Sequence, residues 1–288
     1  MKHHPTILVL GSTGMLGRTV YKYLADKYPN TTWGTTRDKV KTTNKQLYFD
    51  AYKYAPLFKN IKAEIKKIDY VVNCIGVLRI YKSIEDLIYV NSLFPHRLLS
   101  LSTQYNFRII HISTDAVFSE MSGKVNEEIY PSPSDLYGAS KYLGEIHDKN
   151  SITFRTSIIG LDPLHHKGLL EWVRLQKNVQ IPGFINQSWS GCTSLQFAKL
   201  CEELVIHNKF KNYRKLSPII HFSPLGPVSK YDLIKTYLSL AELPITINRT
   251  YGKKITREVF SRFFDFKGMN EYTNDISKSV EELLAFEN

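Results

Sequence analysis

A chain of 288 residues, 43% of them hydrophobic, is long enough to bury a full core and suits one α/β domain carrying a smaller lobe. Met1-Lys2-His3-His4-Pro5 leads into an apolar strand with no signal-like segment, no run reaches the roughly 20 apolar residues of a membrane helix, and Cys74, Cys192 and Cys201 lack any CxxC spacing, so a reduced cytoplasmic protein without membrane span, disulfide framework or metal is expected. The net charge of +11 is scattered, with Lys66-Lys67 and Lys253-Lys254 the only adjacent lysine pairs, which argues against a nucleic-acid partner and fits a cleft that attracts phosphates.

In chain order, Thr6–Leu10 reads as a strand and runs into Gly11-Ser12-Thr13-Gly14-Met15-Leu16-Gly17, followed by a helix at Met15–Tyr28. Glycine is needed where the backbone turns sharply and where it approaches a pyrophosphate too closely for a Cβ. The helix amino end then offers free N–H groups to the phosphates. The second strand, Thr31–Thr36, ends in Arg37, with Lys39 and Lys41 beyond it. An acidic residue there would bond the ribose hydroxyls of NAD, whereas a guanidinium forks onto a 2′-phosphate. NADPH is therefore expected over NADH; the other reading of Arg37 is a solvated loop charge, and Asp38 falls one position late.

Further strands are expected at Gln46–Asp50, Tyr70–Ile75, Arg108–Ser113 and Ile152–Ser157, with helices at Ser83–Gln104 and Asp135–Asn150. Continuous Val/Ile/Leu strands alternating with helices predict a doubly wound parallel α/β sheet. The last of these helices carries Tyr137-Gly138-Ala139-Ser140-Lys141, and residues four apart share a helix face. A free tyrosine, with a pKa of about 10, is a poor proton donor near neutrality, and a nearby ammonium is expected to lower it. After about Thr156 Gly and Pro break up the chain, and only Pro218–Ser223 reads as another sheet strand. The expected division is 1–155 plus about 194–223 for the dinucleotide domain, and about 156–193 plus 224–288 for a substrate lobe.

The spacing G-x-x-G-x-x-G, together with Ser113-Thr114-Asp115-Ala116-Val117-Phe118 and Tyr137-Gly138-x-Ser140-Lys141-x-x-Gly144-Glu145, resembles the extended short-chain dehydrogenase/reductase family and its dTDP-4-dehydrorhamnose reductase branch. The resemblance implies a Rossmann-like fold, in which Gly11, Thr13, Gly14, Met15, Leu16 and Gly17 cradle the cofactor and Asp50-Ala51 meets its adenine. By the same match Cys74-Ile75-Gly76 and Asn91 line the cofactor. Thr114 would bond the substrate carbonyl, Tyr137 donate the proton, and Lys141 support both. Asp115, Asn186, Trp189 and Arg249 are the substrate candidates that accompany Thr114; Trp189 could stack on a base or sugar or equally pack in a core.

The match extends from about Ile7 to Leu243, through Arg155-Thr156-Ser157 and His221-Phe222-Ser223, but Ile158 replaces a Trp of the rhamnose-pathway reductases. The surrounding segments look more like relatives that reduce UDP-linked 2-acetamido-2,6-dideoxy-4-hexuloses toward N-acetyl-L-rhamnosamine. The expected partner is thus a nucleotide sugar, with homodimer formation left open. Ala116 stands where bifunctional epimerase–reductases carry a cysteine, so reduction without epimerisation is expected, and His165, His166 and Lys167 are read as surface residues. Two alternatives share the scaffold: a sugar-nucleotide 4-epimerase with bound NAD, and a non-catalytic regulatory subunit.

Overall fold

In the computed structural model, which describes residues 4–39, 45–78, 83–177, 179–269 and 272–287, seven strands form one parallel sheet. They are β1 (Ile7–Leu10), β2 (Thr32–Thr36), β3 (Gln46–Tyr48), β4 (Tyr70–Asn73), β5 (Arg108–Ile112), β6 (Ser151–Arg155) and β7 (Ile219–His221). Their order across the sheet is β7-β6-β5-β4-β1-β2-β3. The chain therefore reverses direction across the sheet between β1 and β4, and in open α/β sheets that point opens a crevice at the carboxyl ends. The expected doubly wound fold is the observed one.

Two apolar layers cover the sheet. On one face α1 (Met15–Lys27) and the helix Ser194–Val205 pack through Leu16, Val20, Leu24, Phe197 and Leu204. On the other, α2 (Tyr54–Glu64) and the helical run α3 (residues 84–105) bury Phe58, Ile61, Phe94 and Leu98. Within α3 the segment Leu87–Leu93 is wound as a π-helix, a form that concentrates at functional sites.

The expected helix Asp135–Asn150 is shorter, α4 (Leu136–Leu143), and ends at Gly144. A Cβ on Gly144 would lie 1.8 Å from the Asn91 carbonyl oxygen, so close packing against α3 occupies the space a continued helix with side chains would need. The second half holds more strands than its Gly/Pro punctuation suggests. Gln180–Phe184 pairs with Thr246–Thr250, Ser188–Thr193 joins Leu225–Ser229 and Ile158–Ile159, and Glu258–Val259 pairs with Lys124–Val125. The first two of these ladders border a separate core of Ile159, Leu170, Trp189, Leu233, Tyr237 and Leu283, and the third packs with Val117 and Phe118.

Candidate active site

A cleft of about 1060 Å³ opens along the carboxyl ends of the sheet strands. One end is framed by Arg37, Asp38, Lys39, Asp50 and Ala51; the middle by Gly11, Thr13, Gly14, Met15 and Leu16; the other end by Thr114, Asp115, Tyr137, Lys141, Ser157 and Ile158. Cys74, Ile75 and Gly76 complete the floor. Lys41 lies outside the described residues.

The glycine turn is built for close approach. Gly11 has φ of 76°, a region that side chains disfavour, and a Cβ on Gly17 would sit 2.1 Å from the Gly11 carbonyl oxygen. The turn leaves the amino end of α1 open toward the cleft, with no acidic side chain in its first turn. A diphosphate fits such a surface of N–H groups and small side chains.

At the far end, two glycines bring the reactive side chains together. Asp135 caps α4 by accepting from the Gly138 N–H at 2.7 Å. A Cβ on Gly138 would fall 2.0 Å from the Ala116 carbonyl oxygen, so only glycine lets α4 rest on the turn after β5. Tyr137 and Thr114 consequently border the same end of the cleft. Thr114 Oγ1 accepts from the Ala116 N–H at 3.2 Å and donates to Asp115 Oδ1 at 3.2 Å. Lys141 is buried and donates to the Ile112 carbonyl at 2.6 Å.

Burial dominates the titration of both groups. It pushes Tyr137 up to about 12, against the smaller opposing effect of the nearby Thr114 hydroxyl. It brings Lys141 down to about 8, with Glu145 and Cys74 acting the other way. The expected lowering of the phenol by the ammonium is therefore not what this cleft does. Desolvation sets the direction, and the Lys141 ammonium donates to the Ile112 carbonyl. At neutral pH Tyr137 is a protonated donor. The Cys74 thiol is also held up by burial, which keeps it protonated.

Other candidates are placed elsewhere. Asn91 is a clamp: its Oδ1 accepts from Val77 N and its Nδ2 donates to Val77 O, both at 2.9 Å, and it reaches Ser140 Oγ at 3.1 Å. It thereby holds the 74–77 floor against α4 and does not border the cleft. Trp189 is 8% exposed in the second core and donates its indole N–H to Ser157 Oγ at 2.9 Å. Asn186 closes a turn with Gly252 through two bonds of 2.7 and 3.0 Å. Arg249 is exposed and stacks on Tyr231 at 5.3 Å. None of these three borders the cleft.

The sequence reading missed several supports. Glu145 and Arg155 form a buried bidentate pair with both bonds at 2.8 Å, and Glu145 also accepts from Ser113 Oγ at 2.8 Å. Arg257 pairs with Asp115 at 2.9 Å and bonds the Phe118 carbonyl at 3.0 Å. His165, which is exposed as expected, and the half-buried Lys167 also border the cleft. The Gly-Glu and Arg-Thr-Ser motifs signalled the first pair; nothing local marks Arg257.

Among the described residues no group of His, Cys, Asp and Glu is arranged to hold a metal, and no helix is long and apolar enough to cross a membrane. A family model described as the NAD dependent epimerase/dehydratase family matches residues 7–187. A dTDP-4-dehydrorhamnose reductase of Aggregatibacter actinomycetemcomitans is 25% identical over 239 residues, 78% of this chain and 76% of that protein. The fold is similar to a dTDP-4-dehydrorhamnose reductase from Bacillus anthracis in complex with NADP, with a TM-score of 0.74, 18% identity, and 98% and 99% of the two chains covered. It is also similar to a UDP-glucuronic acid 4-epimerase from Bacillus cereus in complex with NAD, with a TM-score of 0.67, 17% identity, and 98% and 96% coverage.

Proposed function

The chain belongs to the NAD dependent epimerase/dehydratase family, and from that membership we propose that it is an NADPH-dependent reductase of the 4-keto group of a nucleotide-linked 6-deoxy-L-sugar. The observation that carries this reading is the meeting of Thr114, Tyr137 and the buried Lys141 at one end of a cleft floored by the glycine turn. When bound, the reduced nicotinamide supplies a hydride to the carbonyl carbon. Thr114 holds the carbonyl oxygen, and Tyr137, kept protonated by burial, gives it a proton as it gains charge. Lys141 anchors the nicotinamide ribose and offsets the charge left on the phenol.

Arg37 and Lys39 would take the 2′-phosphate, Asp50 and Ala51 the adenine, and the Gly11–Gly17 turn the diphosphate. The relatives named as dTDP-4-dehydrorhamnose reductases support the keto-sugar substrate, and the one solved with NADP supports the cofactor. The finer substrate is UDP-2-acetamido-2,6-dideoxy-4-keto-L-hexose or dTDP-4-dehydrorhamnose, with Asp115 beside the sugar. Residues 1–155 plus about 194–223 would serve the cofactor, and about 156–193 plus 224–288 the sugar nucleotide. Ala116 offers no proton to move, so the sugar arrives already in its L configuration and acquires no ring deuterium from solvent.

A second reading, a 4-epimerase holding NAD, draws support from Asp38, which borders the cleft beside Arg37. The two separate on stoichiometry. Incubated with UDP-, dTDP- and GDP-linked 4-keto-6-deoxy sugars, a reductase consumes one NADPH per alcohol formed. Interconversion of 4-hydroxy epimers with no net NADPH loss would overturn the reductase.

A further inference from the structure

The segment between Gly160 and Gly168 stands across the cleft from the glycine turn. Asp162, Leu164, His165, Lys167 and Gly168 border the same cavity as Thr13, Gly14 and Met15. Both hinges of the segment touch the first residue of α1: a Cβ on Gly160 would lie 3.1 Å from Met15 Cγ, and one on Gly168, where φ is 93°, 3.4 Å from Met15 Sδ. The segment therefore roofs the helix end that faces the phosphates.

Its inner side is built on a buried carboxylate. Asp162 is 2% exposed and accepts from both the His165 backbone N–H and His165 Nδ1, each at 3.1 Å. The Asp162 N–H donates in turn to Glu171 Oε1 at 3.0 Å, and Arg174 holds the other Glu171 oxygen at 2.6 and 3.0 Å. With Nδ1 committed to Asp162, Nε2 is the ring atom left to meet a ligand in the cleft. A carboxylate fixing one imidazole nitrogen so that the other can serve a ligand is the arrangement by which proteins orient such rings.

We propose that His165, positioned by Asp162, bonds the diphosphate bridge of the bound dinucleotide, so that the 160–168 segment acts as a cofactor clamp opposite the glycine turn. The assignment rests on the dinucleotide reading above. Bonding an anionic phosphate oxygen, the ring adds a charge-assisted bond from the side the helix end cannot reach.

The test is equilibrium titration of NADPH fluorescence, without any sugar nucleotide, on the wild type and on His165→Ala, His165→Lys and Asp162→Asn. His165→Ala is expected to weaken NADPH by about tenfold, the size of one lost charge-assisted bond. His165→Lys recovers most of that loss, and Asp162→Asn falls between. Binding of 2′-AMP, which has no diphosphate, stays the same in all four proteins. An NADPH affinity unchanged in His165→Ala overturns the clamp while leaving the dinucleotide reading intact. Parallel loss of NADPH and 2′-AMP binding also overturns it, since that is the mark of a collapsed cleft. A wild-type protein that binds no NADPH overturns the dinucleotide reading itself.

Discussion

Lys141 illustrates how little of a residue's behaviour is set by its neighbours in sequence. Its ammonium sits against a backbone carbonyl in a desolvated wall, and burial brings it down to about 8 from an ordinary value near 10.4. The folded chain therefore releases this proton more readily than the unfolded chain. Stability rises with pH wherever the unfolded state binds more protons, so this group favours folding increasingly from about pH 8 toward about pH 10.4. Tyr137, held up at about 12, works in the opposite sense only above about pH 10. Melting temperatures of the wild type and Lys141→Met, compared from pH 7 to 10, should show the wild type gaining on the variant as pH rises; a constant gap would contradict the buried-charge account. That Tyr137 and Lys141 border one cleft was legible, because residues four apart on a helix share a face. The direction of the Tyr137 shift was not, since it depends on cleft walls supplied by other elements.

At the scale of elements, α4 is held by contacts that no side chain could permit. Gly138 rests on Ala116 and Gly144 on Asn91, while Glu145 just beyond clasps Arg155 from β6. Gly138→Ala places a methyl 2.0 Å from a carbonyl oxygen and must lift the helix. Destabilisation of about 1–3 kcal/mol is expected from overpacking of this kind. Urea unfolding would measure it, and turnover should fall further than stability alone explains, because Tyr137 moves with the helix. The glycines could be seen in the motif; their reason could not, because the facing backbone comes from residues 22 and 53 positions earlier. Arg257 is a harder case. It reaches Asp115 across 142 positions from a segment with no recognisable pattern. The second half of the chain was equally opaque: its short strands are two to six residues long and interrupted by Pro and Gly, so neither period develops.

For the molecule as a whole, the last helix, Ile276–Glu287, is tied to α1 as well as to the second core. Val280 and Leu283 are fully buried in the second core, while Gln196 reaches Ser279 Oγ at 3.2 Å and the Thr273 carbonyl at 2.9 Å. At its end Glu287 pairs with Arg18 and accepts from Thr19 Oγ1 at 2.7 Å, both on α1. Removing residues 276–288 forfeits the burial of at least two large apolar side chains, at about 1.5–3 kcal/mol each. Calorimetry on the truncated chain should show the whole melting transition shifted down. Loss confined to a separate low-temperature step, with the main transition unmoved, would mean the tail is an independent appendage.

That tie between α1 and Glu287 joins positions 268 apart in the chain. A contact of such separation must meet a long loop's closure entropy before it is rewarded, so the brace on the first helix belongs to the late, slow part of folding.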